Sequence, residues 1–223
     1  RRRLRLSRTR VLGRMARAVA AIVVAAQLGG VLAPAALAAE APDKSEVVLV
    51  LDFSASILND SGTRNRFAGA LEAIANRVDA TTADLVAGDT TVSIVQFAAK
   101  AIDSPGCADL HLRDSAPNVA HFAACLRSVA GVYRKGLDPA LTSKLGIDTN
   151  HVSAMEQAAR HLPADAVRPV MVLFTDGKHD VKGVPLSQVQ VIHDRLFGKR
   201  TPFALLPVGM GLAARDRADL EAG

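Results

Sequence analysis

Apolar residues along this chain occur either in short unbroken runs or in stripes at helical spacing, and the two kinds alternate. Glu46-Val-Val-Leu-Val-Leu51 is a continuous run too short for a helix and bounded by polar residues, which predicts a strand buried on both faces. Thr63 then opens a helix whose apolar positions Phe67, Leu71, Ile74 and Val78 fall on one face. Thr91 to Phe97 alternates and predicts a second strand, followed by an edge strand from Lys100 to Asp103. Ser115 and Pro117 open a second amphipathic helix that carries Val119, Phe122, Leu126, Val129 and Tyr133. Gly136 to Asp148 reads as a loop, and Val152 to Leu162 as a third helix with Thr149 or Asn150 at its start and Pro163 beyond its end. Val170 to Phe174 is another buried strand, Ser187 to Phe197 a helix stopped by Gly198, and Phe203 to Val208 a further strand. Strands alternating with helices predict an α/β fold with a doubly wound, mostly parallel central sheet flanked by helices.

With 223 residues, 49% of them hydrophobic, the chain is long enough to bury one full core, and no second domain is required. A formal charge of +5 suggests a polyanionic partner, but eight arginines lie between Arg1 and Arg17 and no acid precedes Glu40. Without those eight, 19 basic residues stand against 22 acidic ones, a balance of −3, so the remainder is not a nucleic-acid-binding surface by charge. The basic stretch leads into 21 uncharged residues, Ala18 to Ala38, that end in Ala36-Leu37-Ala38, a small-x-small cleavage pattern. Residues 1–38 therefore read as a signal peptide, 39–45 as a linker and 46–223 as the domain. If uncleaved, the same N-terminal segment is the one membrane contact expected; Gln27, Gly29-Gly30 and Pro34 interrupt it as a span. A last helix near Arg215 runs only a few residues to Gly223, so the C-terminal part of the domain is expected to be missing.

Export changes the reading of the only two cysteines, Cys107 and Cys125: in an oxidising compartment an isolated pair forms a disulfide, the alternative being two separate buried thiols. Two sulfurs make half a zinc shell, and no flanking His pair has suitable spacing for the rest.

Three segments carry candidate chemistry. Asp52-Phe-Ser54-Ala-Ser56 follows the first buried strand, Thr149 precedes a helix, and Thr175-Asp176-Gly177 follows a later buried strand. In a doubly wound sheet the carboxyl ends of parallel strands share one edge, so residues more than a hundred positions apart converge there. If the turn after Asp52 stays extended, its alternate side chains point to one side. Two carboxylates and three hydroxyls form a hard, all-oxygen set suited to Mg2+ or Mn2+, less to Ca2+, and unsuited to zinc or copper. Thr142, also just before a helix-like segment, is a second candidate for the threonine.

The D-x-S-x-S run, the Thr at a loop-to-helix junction and the later T-D-G resemble the metal-ion-dependent adhesion site (MIDAS) of the von Willebrand factor A family, in its bacterial exported form, over residues 46 to the end. The resemblance implies that Ser54, Ser56 and Thr149 ligate the metal while Asp52 and Asp176 act directly or through water. It also implies a module that binds proteins and is not an enzyme. The leader makes it secreted or cell-surface, and the electrophilic ion would favour a carboxylate of the protein ligand to complete its shell. Two positions depart from the family pattern: Ala55 stands where Gly is frequent, and Asp148 precedes Thr149 where Gly is frequent.

Two other functions fit parts of the pattern. Asp52 at a strand end with Thr175 after another resembles the Mg2+-dependent phosphoryl-transfer enzymes of the haloacid-dehalogenase type, but Ser54 stands where their second Asp lies, and neither Lys178 nor Lys182 fits their lysine. An intracellular chaperone-like A-domain subunit is the other, and the leader argues against it. His151 and His179 fall near the metal edge without the partners of a soft-metal site and read as solvated or capping; His111, His121, His161 and His193 receive no role.

Overall fold

The computed structural model describes residues 44–163, 167–177, 179–185, 187–188, 191–192, 194 and 204–209, all within the unit Glu40–Gly223. The leader, most of the linker, the helix expected near Arg215 and most of the one expected from Ser187 to Phe197 lie outside the described residues.

The sheet is built on β1 (Ser45–Asp52), which pairs in parallel with β2 (Thr90–Phe97) on one side and β5 (Arg168–Thr175) on the other; β6 (Ala204–Gly209) extends it in parallel beyond β5. Two short strands, β3 (Ala101–Asp103) and β4 (Leu110–His111), run antiparallel along the free side of β2, giving the order β3-β2-β1-β5-β6 with β4 also on β2. The central place of β1 explains its unbroken apolar run: Val48, Val50 and Leu51 are all at most 1% exposed, because both faces of that strand are covered.

One face carries a core of Val48, Val50, Val95, Met171 and Leu173 packed with Val152 and Met155 of α6 (His151–Ala159). The alternate positions Leu49, Leu51, Ile94, Val172 and Phe174 are buried as well. The two long helices, α2 (Ser61–Ala80) and α4 (Ala116–Lys135), pack against each other and bury the apolar stripes read from the sequence, Phe67 to Val78 and Val119 to Tyr133. Their starts follow capping chemistry: Asp60 accepts from the Thr63 amide, and Ser115 from the Asn118 amide.

Four short elements escaped periodicity: α1 (Ala55–Asn59), α3 (Thr82–Ala87), β4 and α5 (Pro139–Leu145). The stretch Gly136 to Asp148, expected as a loop, contains α5. Its cause lies in end signals rather than in an apolar stripe: Asp138 accepts from the amides of Ala140 and Leu141, Pro139 is the first helical residue, and Gly146 ends the helix at φ +79°. A side chain at Gly146 would also meet Ala99, its Cβ lying 2.6 Å from that methyl. Leu145 alone is buried in this helix, so no repeat was there to be read.

The connection between β3 and β4 is fastened twice. Cys107 is joined to Cys125 of α4, with Cα atoms 6.0 Å apart, a closure that stabilises the fold by roughly 3 kcal/mol on the chain-entropy account. On the other side His161 lies between two carboxylates, Nε2 2.7 Å from Asp103 Oδ1 and Nδ1 2.8 Å from Asp109 Oδ1. Burial lowers the pKa of this ring, yet the hydrogen bonds and charges of Asp103 and Asp109 outweigh it and leave the value raised. Both nitrogens donate only in the imidazolium, so the clasp contributes fully below the unfolded pKa of about 6.5 and is lost as pH rises through the raised folded value. Since both aspartates are more than a third exposed, the contribution is about 1 kcal/mol or less. Thermal melts of the parent and His161→Gln from about pH 5 to about pH 9 should differ most at the acid end and converge upward; a pH-independent gap would refute the clasp.

Candidate metal centre

Parallel register places the ends of β1 and β5 side by side, Leu51 opposite Phe174, so Asp52 and Thr175 emerge together at the carboxyl edge of the sheet. Thr175 Oγ1 donates to Asp52 Oδ2 at 2.6 Å, and the Ser54 amide donates to Asp52 Oδ1 at 2.8 Å. From below, the hydroxyl of the fully buried Tyr133 donates to the Asp52 carbonyl at 2.7 Å, and Phe53 stacks on that ring with centroids 4.4 Å apart. The turn after Asp52 is not extended: Ser54 is the N-cap of α1, and Ser56 lies in its first turn. The hydroxyls nonetheless meet, because Ser54 itself keeps an extended backbone (φ −63°, ψ 160°) ahead of the helix, and its Oγ lies 3.0 Å from Ser56 Oγ. Ser56 Oγ in turn donates to Asp176 Oδ1 at 3.0 Å, closing a chain of oxygens between the two strand ends.

Thr149 arrives from a third direction, just ahead of α6. A Cβ placed on Gly177 would lie 3.3 Å from Thr149 Oγ1 and 3.8 Å from Ser56 Oγ, so Gly177 marks the close approach of these hydroxyls and any side chain there would crowd them. The threonine is held by a residue that the motif does not contain: the Thr149 amide donates to Asp180 Oδ1, and the Asp180 amide returns a bond to the Thr149 carbonyl at 3.0 Å. Beside it, His179 Nδ1 accepts from the His151 amide, the first of α6, at 3.2 Å. His179 thus has a capping role, whereas His151 is not solvated. Its ring is 9% exposed and packs edge-on to Phe97, and burial, aided by His179, pushes its pKa down to about 4.

Asp52, Ser54, Ser56, Thr149 and Asp176 therefore come together. Thr142 does not join them; its hydroxyl donates to the Asp138 carbonyl within α5. Sequence reasoning missed Thr175, Tyr133 and Asp180, which hold the centre from behind. Thr175 was in view as part of T-D-G, but nothing in the sequence marks a side chain that binds across the fold.

Among the described residues, no cationic side chain is bonded to the carboxyls of the centre, and Arg66 acts on Asp176 through its charge alone. Asp52 is completely buried, and desolvation, with a smaller push from Asp176, raises its carboxyl to about 7 despite the bonds from Thr175 and Ser54. Asp176 is also raised, by burial first and by Asp60 as well, against the opposing effects of Ser56 and Arg66. Two carboxyls held against their charge, each bonded by a hydroxyl, are chemically suited to a hard divalent cation.

The strand order and the flanking helices define an α/β fold with a mostly parallel central sheet, which solved structures share. Proximal thread matrix protein 1 of the mussel byssus has the same fold, with a TM-score of 0.50 at 14% identity over 78% of this chain and 40% of its own. A von Willebrand factor type A protein of Catenulispora acidiphila has a TM-score of 0.49 at 17% identity, covering 76% of this chain and 34% of its own. A crystal of the mussel protein with zinc in its MIDAS motif has a TM-score of 0.48 at 13% identity, covering 78% of this chain and 40% of its own. This chain thus spans less than half the length of each of these proteins. No protein-family model matches the sequence, and no curated protein matches it.

Proposed function

We propose that Asp52, Ser54, Ser56, Thr149 and Asp176 hold one Mg2+ or Mn2+ ion, and that the domain is an exported or cell-surface module that binds a protein ligand through one of its carboxylates. The carrying observation is the convergence of two carboxylates and three hydroxyls from three chain segments, with oxygen spacings that a small ion can accommodate. Octahedral Mg2+ with bonds of 2.0–2.1 Å has ligand–ligand edges of about 2.9 Å, and Ca2+ with bonds of 2.3–2.6 Å has edges of about 3.2–3.7 Å. The Ser54–Ser56 and Ser56–Asp176 separations are both 3.0 Å. These are hydrogen-bonded contacts in which a cation would take the place of the bridging hydrogens, with little movement of oxygen. When bound, such an ion supplies an electrophilic coordination position that an anionic group of a partner can fill.

The residues divide the work. Thr175 and the Ser54 amide fix both oxygens of Asp52, so its charge is available to the centre without the side chain being free to swing. The same fixing argues against an aspartyl-phosphate enzyme, whose nucleophilic oxygen has to reach a substrate; Asp52 is 0% exposed. Among the described residues no helix is long and apolar enough to cross a membrane. Attachment through residues 1–38, or their removal, stays part of the proposal.

Calorimetric titration of chelator-stripped protein with the metal alone tests the centre. One site is expected, tighter for Mg2+ and Mn2+ than for Ca2+; no saturable heat, or a preference for Ca2+, contradicts it. Asp180 gives a second prediction. Asp180→Ala leaves the Thr149 amide without its acceptor and should weaken Mg2+ binding by about 10-fold, the low end of what a supporting residue contributes. Asp180→Asn keeps an acceptor oxygen and should bind nearly as the parent does; equal losses in both variants would mean that the charge, not the bond, is what matters.

A further inference from the structure

Away from the carboxyl edge, His121 stands one helical turn before Cys125 on α4, and Cys107 faces them from the β3–β4 connection. One donor atom from each of Cys107, His121 and Cys125 lies within 4.8 Å of the other two. Cys125 Sγ is 3.8 Å from His121 Nε2, and that nitrogen is 2.8 Å from the Gly106 carbonyl oxygen. Tetrahedral zinc, with Zn–S near 2.3 Å and Zn–N of 2.0–2.1 Å, spaces sulfur and nitrogen by about 3.6 Å. One edge of such a shell is therefore already set by the helix. The sulfurs are 4–5% exposed while His121 is exposed, so the cluster opens to solvent on the imidazole side.

We propose that, once its disulfide is reduced, this triad is a second metal site, selective for a soft or borderline divalent cation such as Zn2+, with two thiolates and one imidazole as ligands and the fourth position left to water. It is independent of the oxygen-lined centre in position, in donor chemistry and in the metal it prefers. A dithiol reductant delivers two electrons and two protons to the Cys107–Cys125 bond, giving two thiols and the reductant's own disulfide. Binding of the cation then displaces both thiol protons, so the thiolates and the metal are neutral as a unit. In that step the sulfurs move from bonding distance to about 3.8 Å apart, the S–S edge of the same tetrahedron. His121 exchanges its contact with the Gly106 carbonyl for the metal. The bonded and metal-loaded forms exclude each other, because a sulfur in a disulfide is not a thiolate ligand. Redox state would then set whether the β3–β4 connection is tied to α4 by a covalent bond or by a removable ion.

Cobalt(II) is the probe, because thiolate-to-cobalt charge-transfer absorption reports sulfur ligation and stays silent for an all-oxygen centre. The protein is reduced with a dithiol, freed of reductant without air, and titrated with Co2+ and then competing Zn2+, beside the oxidised form. The background carries Asp176→Ala so that the oxygen centre is disabled. The reduced protein is expected to develop the band at one equivalent and to lose it to Zn2+, and the oxidised protein to show none. His121→Ala should weaken binding by at least about 10-fold, and Cys107→Ser should abolish the band. No band in the reduced protein, an unchanged affinity in His121→Ala, or loss of helical circular dichroism on reduction before metal is added would each overturn the proposal, since the site needs α4 intact.

Discussion

Asp176→Ala is expected to weaken Mg2+ binding on the order of 100-fold, about 3 kcal/mol, while the chelated protein melts within a few degrees of the parent. The affinity loss follows from charge: Asp176 is one of two carboxylates in the proposed shell, and leaving a divalent ion with one of them resembles breaking a buried ion pair. The preserved fold follows from the opposite balance in the metal-free protein. There the Asp176 carboxyl is held above its ordinary pKa by burial and by Asp60, and it adds to the raised value of Asp52, so its charge costs the folded state. Its removal relieves that cost and forfeits one bond from Ser56, worth about 1 kcal/mol. Ser54→Ala removes a neutral ligand and should weaken Mg2+ by a smaller factor, about 10-fold. Calorimetric titration beside thermal melting in chelator separates these outcomes. Metal binding at the parent's affinity in Asp176→Ala would remove this residue from the shell, and early melting of the chelated variant would recast it as structural.

The main sheet, the two long helices and the carboxyl edge at which Asp52 and Asp176 meet were legible because each leaves a periodic or positional mark. An unbroken apolar run such as Val47 to Leu51 is what a central parallel strand requires, and the stripe Phe67, Leu71, Ile74, Val78 repeats long enough to define a face. What stayed hidden is of two kinds. Short elements bury too few side chains for any period to show: α1 buries only Ile57 and Leu58, and α5, bounded by Asp138, Pro139 and Gly146, buries only Leu145. The supporting contacts of the centre join residues far apart in the chain: Tyr133 reaches Asp52 across 81 positions and Asp180 reaches Thr149 across 31. His161 is a further case, since its two aspartates lie 58 and 52 positions away and only the fold brings them to its ring. The turn at Ser54 shows the reverse: a helix starts where an extended turn was expected, yet Ser54 and Ser56 remain neighbours because Ser54, at the N-cap, is itself still extended.

Phe67→Ala should have the opposite profile to Asp176→Ala, losing about 3–5 kcal/mol of stability while keeping most of its metal affinity. Phe67 is fully buried on α2, at the packed face between α2 and α4, and truncating it leaves a cavity that a rigid helix pair cannot close. Its ring also lies against Tyr133 with centroids 5.2 Å apart, and Tyr133 is the residue whose hydroxyl holds the Asp52 carbonyl from below. Loss of that neighbour loosens the phenol without removing its hydrogen bond, and Phe53 still stacks on the other side. The bonds from Ser54 and Thr175 continue to fix the Asp52 carboxylate. The effect on Mg2+ affinity, measured on folded protein well below the melting temperature, should therefore stay within about 10-fold, the scale of a supporting residue rather than a ligand. Denaturant unfolding in chelator gives the stability term, and calorimetry with Mg2+ gives the affinity term on the same sample. A stable variant would mean that α2 and α4 repack around the gap, and an affinity lost to the extent seen in Asp176→Ala would mean that the position of Tyr133, more than the oxygen ligands themselves, governs the centre.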